Sequence, residues 1–153
     1  MAYDIFGEYY ESTQDIYEKI LPVVKTLKKY NLFYNSGTKQ GFSLISNNID
    51  ENVSKTNCNG FYFIFYRGIL VYIGECSGKN TIHTRISRYI KTILGNNTED
   101  ETHPAAQKHL NFFGKFVDDF EVSVLEMNFK DQKEARSIEK MLVRKFTPMF
   151  NKF

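Results

Sequence analysis

Two short apolar runs dominate the pattern of hydrophobic and polar positions: GFYFIFY over residues 60–66 and ILVYIG over residues 69–74, separated by Arg67-Gly68. Both are rich in β-branched and aromatic residues and too short for ordinary helices, so they predict a β-hairpin. Apolar residues fall on both parities, which predicts cover on both faces. A three-residue loop Tyr66-Arg67-Gly68, with Gly68 in the left-handed region, would set Tyr62 directly opposite Tyr72 on one face. A two-residue loop at Arg67-Gly68 would put the tyrosines on opposite faces, because a one-residue slip swaps every side chain. The three-residue closure is the expectation.

The other segments follow helical or alternating periods. Ile16, Ile20, Val23, Val24 and Leu27 predict a helix over residues 12–29, kinked or split at Pro22. A short strand is expected over 41–45, then a polar loop over 46–59. Ile82, Ile86, Ile90 and Ile93 form the buried stripe of a helix over 81–94, with Asn80 as N-cap, Gly95 as its stop and Tyr89 on the stripe's edge. After a polar, acidic loop over 96–103, Pro104 opens a helix that Gly114 closes. Residues 120–127 read as a strand with Phe120, Val122 and Val124 on one face. Asp131 and Glu134 open a last helix with the stripe Ala135, Ile138, Leu142 and Phe146, which Thr147-Pro148 ends.

The elements sum to an α/β chain of the α+β kind. A small, mainly antiparallel three-stranded central sheet is flanked by helices over residues 60–153, with an N-terminal helical and loop extension over residues 1–59. The extension reads as a helical layer packed on the sheet. Lys25, Lys28 and Lys29 leave open a DNA-gripping or dimerising arm, although such a cluster also suits a solvated face.

Composition narrows the picture only a little. With 42% hydrophobic and 16% aromatic residues and 3 prolines the chain is globular. A formal charge of +2 neither favours nor excludes nucleic acid, so any such face must come from local clustering. Cys58 and Cys76 have no metal-ligand spacing and make no disulfide framework. No apolar run approaches transmembrane length, and Asp4 and Glu8 stand where a signal peptide carries basic residues. The expectation is a protein without a membrane partner, acting in the cytoplasm of a bacterium, or of a host if virally encoded.

Gly60-Phe61-Tyr62 followed by Tyr72-Ile73-Gly74 resembles the motif pair of the GIY-YIG nuclease superfamily. Arg85 and Tyr89 on the next helix, Glu139 on the last helix and Asn151 in Pro148-Met149-Phe150-Asn151 extend the resemblance over residues 60–153. It implies a metal-dependent DNA endonuclease that hydrolyses phosphodiester bonds through a single site. Tyr62, with Tyr72, would orient a water and act as general base. A phenol's pKa near 10 must then be lowered by positive charge. Arg85 would hold the scissile phosphate, and Tyr89 would hydrogen-bond the phosphate or the nucleophile. Glu139 would bind one Mg²⁺ or Mn²⁺ that keeps several waters and stabilises the leaving 3′-oxygen. Gly74 and Asn151 would support the site, and Lys79, His83 and Arg88 would touch substrate.

Each residue also has a plainer reading. Arg85 beside an apolar stripe can simply snorkel. A carboxylate in the stripe of the last helix is costly unless compensated, and a salt bridge from Glu139 to Arg85, Arg88 or Arg136 would serve. Asn151 can cap backbone. The run from Gly74 to Lys79 also resembles a phosphate-binding loop, but three residues separate its glycines where four are needed. One departure from the family stands out: Glu75 replaces a common lysine after the second motif. An acid there would raise the tyrosines' pKa, leaving Lys79 or His83 to supply positive charge. An inactive GIY-YIG-like DNA-binding or interaction module is the alternative, and a homodimer through residues 1–59 would suit a double-strand cutter with one site per chain.

Overall fold

A computed structural model describes residues 2–3, 9–10, 12–34, 42–45, 58–94, 103–114 and 119–151. In chain order the elements are β1 (Ala2–Tyr3), β2 (Tyr9–Tyr10), α1 (Thr13–Lys25), β3 (Tyr30–Tyr34), β4 (Phe42–Ile45), β5 (Gly60–Tyr66) and β6 (Ile69–Cys76). They continue with α2 (Ile82–Leu94), α3 (Pro104–Phe113), β7 (Phe120–Glu126) and α4 (Gln132–Phe146). The expectations for residues 46–57 and 95–102, Gly95 among them, lie outside the described residues.

The fold is α+β, and its main sheet is antiparallel throughout, in the order β4-β3-β7-β5-β6. Three of these strands, β7, β5 and β6, are those expected in the sheet, and β4 is the short strand expected over 41–45. The sheet nevertheless has five strands rather than three, because β3 and β4 from the extension continue it beyond β7. The extension is therefore part of the sheet as well as a helical layer on it. Tyr30 to Tyr34 is an aromatic, β-prone run, but it follows a helical pattern with no Gly or Pro to mark the change.

The hairpin closes more tightly than expected. Tyr66 pairs with Ile69, so the loop is the two residues Arg67-Gly68, with φ of 50° and 81°. Positive φ at both central positions is the type I′ geometry whose twist matches the strands. Asp119 holds the turn: its Oδ2 accepts from Arg67 Nε at 2.9 Å and its carbonyl accepts from Arg67 N–H at 3.2 Å. This loop alone would separate the tyrosines, but a bulge reverses the slip. Ile64 pairs with Tyr72 while Phe65 pairs with Leu70, leaving Val71 as the extra residue. Tyr62 consequently lies opposite Gly74, not Tyr72. The two tyrosines still share a face as diagonal neighbours, with ring centroids 5.8 Å apart.

Both faces of the hairpin are covered, as its apolar parities predict. Tyr62, Ile64, Tyr66 and Val122 pack with Ile82, Ile86, Ile90 and Ile93 of α2 and with α3. On the other face Phe61, Phe63 and Ile73 meet Ile138, Leu142 and Val143 of α4, backed by Ile16, Ile20 and Val24 of α1. Tyr89 is completely buried rather than at the stripe's edge. Helix α1 runs unbroken through Pro22 from a capping box of Ser12 and Asp15. Pro22 and Glu18 are both exposed, so water can reach the carbonyl that loses its donor. The helix ends at Lys25, four residues short of the expected end. Thr81, not Asn80, caps α2, its Oγ1 accepting from Thr84 N–H at 3.2 Å. Helices α3 and α4 have their expected caps, with Gly114 at φ 81° closing the first and Asp131 accepting from Glu134 N–H to open the second.

Strand β6 is the sheet's edge, and residues after α4 seal it. Met149 and Phe150 N–H donate to the carbonyls of Leu70 and Val71 at 3.3 and 2.8 Å. Asn151 then imitates a strand residue. Its Oδ1 accepts from Ile73 N–H at 2.9 Å and its Nδ2 donates to Ile73 C=O at 2.7 Å. One residue pair further along, Glu139 Oε2 accepts from Glu75 N–H at 2.6 Å. Few backbone groups are left on this edge for another chain to pair with. Among the described residues no helix is long and apolar enough to cross a membrane.

Candidate active site

Strand β6, the start of α3, α4 and the segment that seals the edge meet at one pocket of about 190 Å³. Its wall includes Tyr72, His103, Lys108, Glu139, Phe150 and Asn151. Tyr72 is half-buried and faces this space, whereas Tyr62 is 1% exposed and lies behind it. Tyr62 fits there only because its cross-strand partner is Gly74. A Cβ on Gly74 would lie 2.5 Å from the Tyr62 hydroxyl oxygen and still closer to the ring. Gly74→Ala is therefore expected to destabilise the fold by about 1–3 kcal/mol, the usual range for overpacking, and to displace the Tyr62 ring. Urea unfolding and tyrosine near-ultraviolet dichroism measure both effects.

A residue that the sequence reading passed over sits at the centre of the group. His103, at the end of what reads as a polar loop, is buried and caps α3. Its Nδ1 accepts from Ala106 N–H at 3.4 Å, which leaves the proton of the neutral ring on Nε2, 3.3 Å from the Tyr62 hydroxyl. Burial, with Arg85 and Arg88 nearby, pushes its pKa down to about 3, so the ring is neutral at physiological pH. The ring centroid is 4.9 Å from that of Tyr72 and 5.0 Å from that of Tyr89. The available signal was His103 immediately before Pro104, a polar side chain at the cap position of a helix whose first residue is proline.

The hydrogen bonds have a direction. With Nε2–H donating to Tyr62, the Tyr62 proton is free to point at Tyr72, and that bond stabilises a Tyr72 phenolate. Burial nevertheless raises all three tyrosines, and for Tyr72 the Glu139 charge adds to it. Arg85 is the cation that opposes the rise at Tyr62 and Tyr72. Neither Lys79 nor His83 is among the main charges acting on these tyrosines. Lys79 lines a separate cleft of about 400 Å³ with Lys130 and Asn80. His83 is half-buried, its pKa lowered by burial and by Lys91. Glu75 also points elsewhere: its Oε1 lies 3.9 Å from Arg136, and it is not among the main charges acting on the tyrosines.

Arg85 Nε is buried with no hydrogen-bond partner among the described residues, and the Tyr89 hydroxyl is likewise unpartnered. An arginine that merely snorkels would keep its head in water. Two orphaned donors beside a pocket suit an anion with several oxygens.

Glu139 is half-buried on α4, and its carboxyl is pushed up to about 7. Burial is the largest cause; the Glu75 N–H opposes it, the Glu75 charge adds to it, and Arg136 and Arg85 oppose it. Its hydrogen bond goes to the Glu75 backbone rather than to any of the three arginines considered. One carboxylate on the pocket wall suits a hard divalent cation that retains most of its waters. No cluster of three or more His, Cys, Asp or Glu side chains that could hold a metal occurs among the described residues. The donor set thus fits a Mg²⁺-like ion held by Glu139 and water, and does not fit a closed zinc cage.

Tyr62, Tyr72, Arg85, Tyr89, Glu139, Gly74 and Asn151 are thereby gathered around one place, Arg88 acts on it through His103, and Lys79 lines the separate cleft. Protein-family models give no match to this chain, and no curated protein matches it.

Proposed function

We propose that the protein is a divalent-metal-dependent DNA endonuclease of the GIY-YIG kind, acting in the cytoplasm. The observation that carries this reading is the meeting of Tyr72, Glu139 and Asn151 on one pocket, with the buried, unpartnered Nε of Arg85 beside the tyrosines. In this reading Arg85 binds the scissile phosphate and balances charge that builds in the transition state. Tyr89 donates its free hydroxyl to a phosphate oxygen. Tyr72 takes the proton from the attacking water, with the Tyr62 hydroxyl hydrogen-bonded to its oxygen. His103 keeps Tyr62 in the donating orientation, and Asn151 fixes the strand edge on which Tyr72 sits. A cation on Glu139 supplies Lewis-acid stabilisation of the leaving 3′-oxygen and offsets the carboxylate charge that otherwise opposes a phenolate.

The test is conversion of supercoiled plasmid to nicked circle with Mg²⁺ or Mn²⁺. Arg85→Ala is expected to lower the rate by about 10²–10³-fold with the fold retained, the loss typical of removing a transition-state charge partner. Tyr72→Phe should cost about 10²–10⁴-fold, as for other general bases. DNA binding without cleavage under any divalent metal would instead favour the inactive module. Nicking by a monomer and double-strand breakage by a dimer through residues 1–59 are separated by sedimentation with and without DNA.

A further inference from the structure

We propose that α3 and the segment after α4 form a stacking platform for an unpaired nucleobase beside the pocket, so that the protein prefers DNA with a single-stranded nucleotide flanking the scissile phosphate. The proposal rests on the nuclease reading above and adds the substrate class. Phe112 is 67% exposed, the highest value among the large apolar side chains described. Its ring lies 4.9 Å from Phe113 and 6.4 Å from Phe150, centroid to centroid, so its position is braced from behind while its outer face is open.

The patch is continuous with the pocket. Phe150 is part of the pocket wall and touches this aromatic group, and Met149 beside it is 41% exposed. Lys108, also on the pocket wall, precedes Phe112 by four positions on α3, placing the two on one helix face about 6 Å apart along the axis. Lys108 has no side-chain hydrogen bond or ion pair among the described residues, so its charge is available to a phosphate. A cation beside an open aromatic face matches a phosphate followed by its base, which is how single strands are held without sequence reading. A purely apolar partner would gain nothing from a lysine one helical turn away. In paired DNA the bases face each other and cannot reach Phe112, so the platform rewards a nucleotide that is already unpaired or is easily flipped.

Fluorescence anisotropy in metal-free buffer, with a labelled oligo-dT strand and a fully paired duplex of equal length, tests the platform on the full chain. The wild type should bind the single strand more tightly. Phe112→Ala should weaken that binding about tenfold and leave duplex binding within twofold, while Phe112→Trp should restore it. In Mg²⁺, a duplex carrying one unpaired base should be cut faster than its paired counterpart, and Phe112→Ala should remove the difference. Equal effects on both DNAs, no effect on either, or a wild-type preference for the duplex would each overturn the proposal and leave the nuclease reading standing. So would a change of sedimenting mass in Phe112→Ala, which would assign the patch to a second copy of the chain. Failure of the wild type to bind either DNA would bring down the nuclease reading and the platform together.

Discussion

Glu139→Gln should abolish cleavage and at the same time make the protein harder to unfold. The glutamine keeps the shape and an acceptor for the Glu75 N–H, so the seal on β6 survives. It removes the charge that burial disfavours. Burial pushes the folded carboxyl up to about 7, against its ordinary value of 4.5. A folded pKa raised in this way contributes stability that is present below 4.5 and lost as pH rises through 7. At pH 8 without divalent metal the wild type carries that loss, and Glu139→Gln should gain about 2–3 kcal/mol. The gain should be near zero at pH 4. Adding Mg²⁺ or Mn²⁺ should raise the melting temperature of the wild type and not of the variant. A well-folded Glu139→Gln protein cutting at near wild-type rate would end the catalytic assignment. A variant less stable than wild type at pH 8 would show the carboxylate to be compensated within the protein.

Acid should unfold this protein earlier than its carboxylates alone would require. His109 is completely buried among Tyr66, Phe113, Phe120 and Phe150, and neither ring nitrogen has a partner among the described residues. Burial lowers its pKa to about 4, and that of His103 falls to about 3. Here the folded pKa lies below the unfolded value of 6.5, so the unfolded chain takes up protons first. The stability tied to keeping both rings neutral is complete above 6.5. It is lost as pH falls from 6.5 towards 4 for His109 and towards 3 for His103. About 2 kcal/mol from each is a large share of a small domain's total stability. His109→Leu has no hydrogen bond to lose and should move the acid midpoint to lower pH by at least half a unit, read by dichroism. An unchanged midpoint would show that the ring finds a proton partner.

What was legible in the sequence depended on how local its cause was. The hairpin, the isoleucine stripe of α2, the Pro104 and Gly114 bounds of α3 and the Asp131 cap of α4 are all set by neighbours within a turn or two. The hairpin register was not legible. A two-residue turn with a bulge and a bulge-free three-residue turn both place Tyr62 and Tyr72 on one face, and only the packing of Val71 into the core separates them. Strand β4 was visible as a short strand, but β3 and the membership of both in the sheet were obscured, because β3 forms on the free edge of β7, far along the chain, and β4 forms on β3. At the site, the spacing of Arg85 and Tyr89 and the misfit of Glu139 in an apolar stripe were visible as patterns. The place of His103 was not, since its contacts to Tyr62, Tyr72 and Tyr89 come from the long-range packing of α3 against α2. The family resemblance pointed to a lysine or histidine as the cation at the tyrosines, and Arg85, with its buried Nε, is the main cation there.

The bonds from Asn151 to Ile73 span 78 positions. Closing a loop of that length costs on the order of 4 kcal/mol in chain entropy. The two side-chain bonds of Asn151 and the backbone bonds of Met149 and Phe150 return that only when all are made together. This segment is therefore expected to dock late in folding and to release early, as a unit, well below the threshold for global unfolding. Each release removes Phe150 and Asn151 from the pocket wall and bares the β6 edge in the same event. The transiently opened protein would be inactive and open to strand pairing at once, so a ligand that fills the pocket should also suppress aggregation.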